Sequence, residues 1–168
     1  MSADRIAHAI RFLETHGIAY ERHDHPAVFT VDEVTALGEI GHGQRTKNLF
    51  VRDKKGRRHV LIVVPHDKQV DLMAVGERLD AGRLSFGSEQ RLMDRLGVEP
   101  GSVTLMGVIN DLEHAVEVVI DKQVWDADYV RCHPLANTST VVLDAAGIRS
   151  LFAATGHTPR VMEVPEIC

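Results

Sequence analysis

Apolar positions along the chain change period in a way that lays out its elements before any composition is counted. Ile6, Ala9, Ile10 and Leu13, with Phe12, recur at spacings of three and four, which gathers them on one face of a helix over 4–16. Gly17 stops that helix, because glycine accepts the left-handed backbone that closes one. "IAYERHD" then reads as a short strand. A second helix is expected from Thr30, with Glu33 three residues on at capping-box spacing. It runs to Leu37 and meets the glycine-rich break "GEIGHG", a combination that suits a movable wall. "TKNLFVRD" and "RHVLIVVPHD" read as a hairpin about "KKGR". In the second strand Val60 to Val64 are all apolar, which predicts burial on both faces and a central place in the sheet.

Further on, "DLMAVGERLD" has a helical pattern and "RLSF" an extended one. Ser88 caps "EQRLMDRL" and Gly97 ends it. "PGSVTLMGVIN" predicts a Pro-Gly turn running into another apolar strand, and "AVEVVID", "YVRCHP" and "STVVLD" predict three more. Asp144 is placed to cap a last helix through Ala154, before "RVMEV" closes the chain. Strands and helices are interspersed without strict βαβ alternation. The expected class is therefore α+β, a mixed sheet with helices packed around it. A chain of 168 residues is long enough to bury one core, so a single domain over 1–168 is expected.

Composition narrows the setting. The two cysteines, Cys132 and Cys168, suit a reducing cytoplasm rather than a disulfide framework. The first residues, "MSADRIAHAIRF", are unlike a secretion signal, and no apolar run approaches the roughly 20 residues of a membrane helix. Charge is distributed unevenly. The formal net charge is -5, yet residues 45–58 hold seven basic residues against Asp53 alone. From Glu99 to Asp128 seven acids face only Lys122. Such polarity gives one face that attracts phosphates and another that repels them, although "DKKGRR" is also good chemistry for a solvated hairpin tip.

Ten histidines raise the question of a metal, but there is no HExxH and no CxxC. His23 and His25, two residues apart in a strand, would share a face, and two ligands do not define a site. Cys132 adjoins His133, but neighbours in a strand point to opposite faces, so Cys132 reads as a small buried residue. His133 precedes a proline, which holds it extended at a strand end. Asn137, Thr138 and Thr140 follow it with amide and hydroxyl groups, as in a hydrogen-bonded turn or the lining of a pocket. Pro100-Gly101 favours a tight turn, where the amides of Gly101 and Ser102 could serve as donors to a carbonyl or oxyanion. By alternation Lys47 shares a face with Leu49 and Val51, and Asn48 with Phe50 and Arg52. A rim lysine there can snorkel, bind a phosphate or polarise an ester.

Taken together, "TKNLFVRDKKGRRHVLIVVPHDKQVDL", "RLSFGSEQRL", "LGVEPGSVTLMGVIND", "VVID" and "CHPLANTSTVVL" occur in the order and spacing of a known family. Over roughly residues 5–163 the chain resembles the YbaK/prolyl-tRNA synthetase-associated editing domains, and most closely their freestanding ProXp-ala branch. The resemblance implies a mixed, partly barrel-like sheet. It also implies hydrolysis of alanine wrongly esterified to proline tRNA, with no ATP, metal or other cofactor. Its partners would be the acceptor stem of tRNA(Pro) carrying alanine and prolyl-tRNA synthetase, with no role at DNA or membranes. It assigns the key lysine to Lys47 and its neighbour to Asn48. The loop that holds the aminoacyl group falls on Gly101, Ser102 and Thr104, and the His-Pro motif on His133-Pro134, with Asn137 beside it. Acceptor-stem contacts fall on Arg45, Arg52 and Arg83. Many members carry Pro-Phe after "GSVT" where this chain has Leu105-Met106, and a glycine where it has Arg131; these differences reshape a pocket rather than its chemistry. Within the family, clearance of cysteine is the alternative to alanine. Outside it stand a silent aminoacyl-tRNA-binding module and a generic small-ester hydrolase.

Overall fold

The computed structural model describes residues 2–27 and 42–167. In chain order its elements are α1 (Ser2–Thr15), β1 (Glu21–Asp24), β2 (Thr46–Arg52), β3 (His59–Pro65), α2 (Leu72–Arg78), β4 (Ser85–Phe86) and α3 (Glu89–Leu96). Two 3₁₀ turns follow, Pro100–Ser102 and Leu105–Asn110. The rest are β5 (Val116–Asp121), α4 (Lys122–Trp125), β6 (Tyr129–Cys132), β7 (Ser139–Asp144), α5 (Ala145–Thr155) and β8 (Arg160–Met162). The helix expected at Thr30–Leu37 lies outside the described residues.

Every residue of β3 is buried, and its neighbours explain why. The larger sheet has the order β4-β2-β3-β5-β8, with β2 antiparallel to β3 and with β5 and β8 parallel to it in turn. Leu61 and Val63 face a core that includes Leu13, Leu96, Leu105 and Phe152. Val60, Ile62 and Val64 face the opposite side, against Val75, Leu79 and Leu84. Burying each such side chain contributes about 1.5–3 kcal/mol, so the all-apolar run reflects two cores sharing one strand. The β2–β3 turn closes as expected: Gly56 at φ +68 donates its amide to Asp53 O, and a Cβ there would meet Arg91 Nη2 at 2.7 Å.

The second sheet has three strands in the order β1-β7-β6. It meets the first where Gln44 pairs with Val130, and Arg131 N–H donates to Gln44 O at 3.0 Å. Among the described residues the two sheets form a mixed α+β architecture with no closed barrel, so the partly barrel-like sheet resolves there into two sheets joined at this seam.

The helix signals are met locally. Ser88 Oγ accepts from Arg91 N, and Gly97 closes α3 in the left-handed region. Asp144 caps α5 through Gly147 N. "TLMGVIN" departs from expectation, forming a 3₁₀ turn rather than a strand. Thr104 Oγ1 accepts from Met106 N and starts that turn, and Leu105, Met106, Gly107, Val108 and Ile109 are all buried. A short apolar run reports burial, and periodicity alone cannot tell which backbone achieves it. The short α4, capped by Asp121 through Gln123 N, had no apolar repeat to announce it.

Candidate active site

Of the expected site residues, Ser102, Thr104, His133 and Asn137 gather where β6 ends, beside the seam between the sheets. Cys132, the last residue of β6, points into the large core. Burial pushes its thiol up to about 12, so it is a protonated packing residue and no nucleophile. His133 follows on the other face. Its Nδ1–H donates to Ser139 O at 2.9 Å, which leaves Nε2 with its lone pair. Burial holds the imidazole below its usual range; the Ser139 carbonyl works against this, and His25 adds to it. His133 is thus a neutral ring with one acceptor to offer.

The His-Pro turn is fixed from behind. Thr104 Oγ1 donates to His133 O at 2.7 Å, and Leu135 N–H bonds the same carbonyl at 2.9 Å while holding φ at +67. Because it also accepts from Met106 N, the Thr104 hydroxyl is engaged in both directions. It ties the Gly101–Thr104 loop to His133 rather than presenting a free group. Ser102 is buried and donates its amide to Glu99 O at 2.8 Å. Of the two amides expected as donors, that of Ser102 is therefore taken up within its own loop. Asn137 is buried in the same turn.

His25 joins this group, a residue passed over in sequence as half of a weak metal motif. Its backbone N–H bonds Thr138 O, its Nε2 lies 2.8 Å from Thr140 Oγ1, and its ring meets His133 edge-on at 6.3 Å. The signal that could have found it is the polar pair Thr138 and Thr140, which β1–β7 pairing brings alongside.

Lys47 and Asn48 approach from β2. Thr46 Oγ1 donates to Arg131 O at 3.1 Å, which sets the start of β2 against β6. Lys47 lies opposite Val64, and Asn48 opposite Val63, so the two side chains leave the strand on opposite faces. Asn48 shares the face of the large core, to which Leu105, Cys132 and Leu135 belong. Its Oδ1 is buried and has no hydrogen-bond partner. Lys47, half-buried, forms no ion pair among the described residues.

The expected RNA contacts divide between the two ends of β2. Arg45 precedes the strand at the site end. Arg52 closes it at the other, bonding Asp53 O and Lys54 O, about 17 Å from Lys47 at about 3.4 Å per residue. Arg83 is exposed just before β4, which pairs with that far end. The basic cluster therefore belongs mainly to the hairpin tip. No group of three or more potential metal ligands occurs among the described residues, and none of their helices is long and apolar enough to cross a membrane.

The seam-side loops and the two-sheet frame that hold these groups are those of an editing domain: the aminoacyl-tRNA editing domain profile matches residues 25–151, and the chain belongs to that family. Among its relatives, the prolyl-tRNA editing protein ProX of Acetoanaerobium sticklandii is 35% identical over 164 residues, covering 98% of this chain and all of that one. The prolyl-tRNA synthetase associated domain-containing protein 1 of Danio rerio is 35% identical over 143 residues, covering 83% of this chain and 76% of the relative. In structure, a crystallised candidate trans-editing enzyme for prolyl tRNA synthetase superposes with a TM-score of 0.70 at 22% identity. It covers 99% of this chain and 98% of its own, a likeness of fold.

Proposed function

We propose that the protein is a trans-editing deacylase that hydrolyses the ester of alanine mischarged on tRNA(Pro). The observation that carries this reading is Asn48 Oδ1, a buried carbonyl with no donor. Leaving such a group unpaired costs about 1–3 kcal/mol, which a substrate N–H or O–H would offset. The ammonium of an aminoacyl ester and the 2′-hydroxyl of its terminal ribose are donors of that kind. Neutral His133, with Nε2 free to accept, adds a second group suited to them. The ProX name of a relative aligned over its full length supports proline tRNA as the carrier.

An aminoacyl ester is activated relative to an amide, so the site needs positioning and charge stabilisation more than a strong nucleophile. Water adds to the ester carbonyl carbon, assisted by the terminal 2′-hydroxyl as the resemblance implies. The bond to the ribose 3′-oxygen then breaks, that oxygen takes a proton, and free alanine and tRNA leave. In this scheme the Gly101–Ser102 turn holds the aminoacyl group and the Gly101 amide serves the developing oxyanion. Asn48 and His133 orient the substrate. Lys47 neutralises the terminal phosphate and, through its flexible stem, the charge gathering on the ester oxygens.

Deacylation of Ala-tRNA(Pro) and Cys-tRNA(Pro), measured side by side, tests this assignment. Alanine should be cleared faster, and Lys47→Ala should lower kcat/KM for it by about 100-fold, the scale of one lost electrostatic contact to the transition state. Faster clearance of cysteine would reassign the substrate, and saturable binding without turnover would reduce the protein to a binding module.

A further inference from the structure

At the end of β2 away from Lys47, unpaired cations and an exposed aromatic ring lie together, and the chemistry above uses neither. Arg58 is taken up by Glu117, with contacts of 2.8 and 2.7 Å, and by Leu79 O and Asp80 O. Arg91 is held by Gly56 O and His59 Nε2. Asp53 turns its carboxylate inward onto the amides of Arg57 and Arg58. Lys54, Lys55 and Arg57 remain: they are exposed, and no carboxylate pairs with them among the described residues. Beside them Phe86 of β4 lies opposite Val51 and is 63% exposed. Along β2, Val51 is four residues from Lys47, or about 14 Å.

We propose that the β2–β3 tip and Phe86 form a second RNA contact, with the three free cations on backbone phosphates and one base stacked on the Phe86 ring. This rests on the deacylase reading above: an RNA whose 3′ end sits at Lys47 would run along β2 to reach the tip. Cations that track a backbone beside a sequence-tolerant stacking ring form the usual footprint for a single-stranded nucleic acid segment. The ring favours RNA over an acidic protein, which would draw on the charges alone. The acidic stretch from Glu99 to Asp128 would disfavour phosphates on other parts of the surface.

The test is binding of uncharged, fluorescently labelled tRNA(Pro) acceptor-stem minihelix by anisotropy at several salt concentrations, which needs no catalysis. The variants are the triple substitution Lys54→Glu, Lys55→Glu, Arg57→Glu and, separately, Phe86→Ala. All four side chains are exposed, and melting curves should match wild type. The triple variant should flatten the slope of log affinity against log salt by about 2–3, the share of three phosphate contacts. Phe86→Ala should weaken binding about 5- to 100-fold, the worth of one stacked base, with little change in that slope. Turnover of alanyl-adenosine, too short to reach the tip, should be unaffected in both. Wild-type affinity and slope in both variants would overturn the proposal. Failure of alanyl ester cleavage by every variant and by wild type would instead count against the deacylase reading and leave the binding result to decide this one.

Discussion

Asn48 makes the clearest trade between stability and use. A carbonyl oxygen buried without a donor is a fault in a core and an asset in a pocket. Asn48→Leu keeps the number and branching of side-chain heavy atoms and removes the fault, so urea unfolding should show a gain of about 1 kcal/mol or more. The same variant should lose deacylation by at least about 10-fold, because the substrate loses its acceptor. A variant that was less stable and fully active would show that Asn48 is an ordinary packing residue. His133 and Cys132 illustrate what residue chemistry reveals in a sequence. Alternation along a strand separates their side chains, and the preceding-proline rule places His133 in extended backbone. That Nδ1 is committed to Ser139 O depends on a turn six residues later, and no local signal carried it.

At the scale of elements, strong local chemistry was legible. Caps at Ser88 and Asp144, the stops at Gly17 and Gly97, and the all-apolar β3 each name their element through one or two residues. The run "TLMGVIN" was misleading because its apolar residues answer to burial against Leu96 and α5, and hydrogen bonding from Thr104 sets its backbone. His59 shows how two elements are coupled. It stacks on Phe50 of β2 at 5.7 Å and accepts from Arg91 of α3 at 2.9 Å. Burial, then Arg95 and Arg91, holds its imidazole below the usual histidine range, against a smaller pull from Asp53. The unfolded chain, with an ordinary histidine near 6.5, therefore takes up the proton first as pH falls. Stability is complete above about pH 7 and declines as the pH drops below about 6.5 and on through the lower folded value. Urea midpoints should fall between pH 7 and pH 5, and more steeply for wild type than for His59→Gln. Parallel pH profiles would mean that His59 is not the group responsible.

For the whole molecule, β2 is the axis that relates chemistry to charge. Its first residues stand at the seam between the sheets, against the loops of Thr104 and His133, and its last lead into the basic tip. The composition revealed that the cations were clustered, but strand geometry decides that most of them lie about 17 Å from the lysine they surround in sequence. The site itself was legible in part as motifs in order. The placing of Asn48 on the core face shared with Leu105, Cys132 and Leu135 depends on links between segments distant in sequence, the Gln44–Val130 bridge and the Thr46–Arg131 contact among them, and His25 enters only through the β1–β7 register. A second, separate site can discriminate by size where a synthetase pocket cannot, since losing methylenes from a bound ligand costs it only about 1–3 kcal/mol.

Single-turnover hydrolysis of Ala-tRNA(Pro) against Pro-tRNA(Pro) by the full chain tests that discrimination most directly. The alanyl ester should be cleared at least about 100-fold faster, a margin that steric exclusion can reach. Equal rates on the two esters would contradict the account, because a pocket that admits the proline ring would destroy the correct product along with the error.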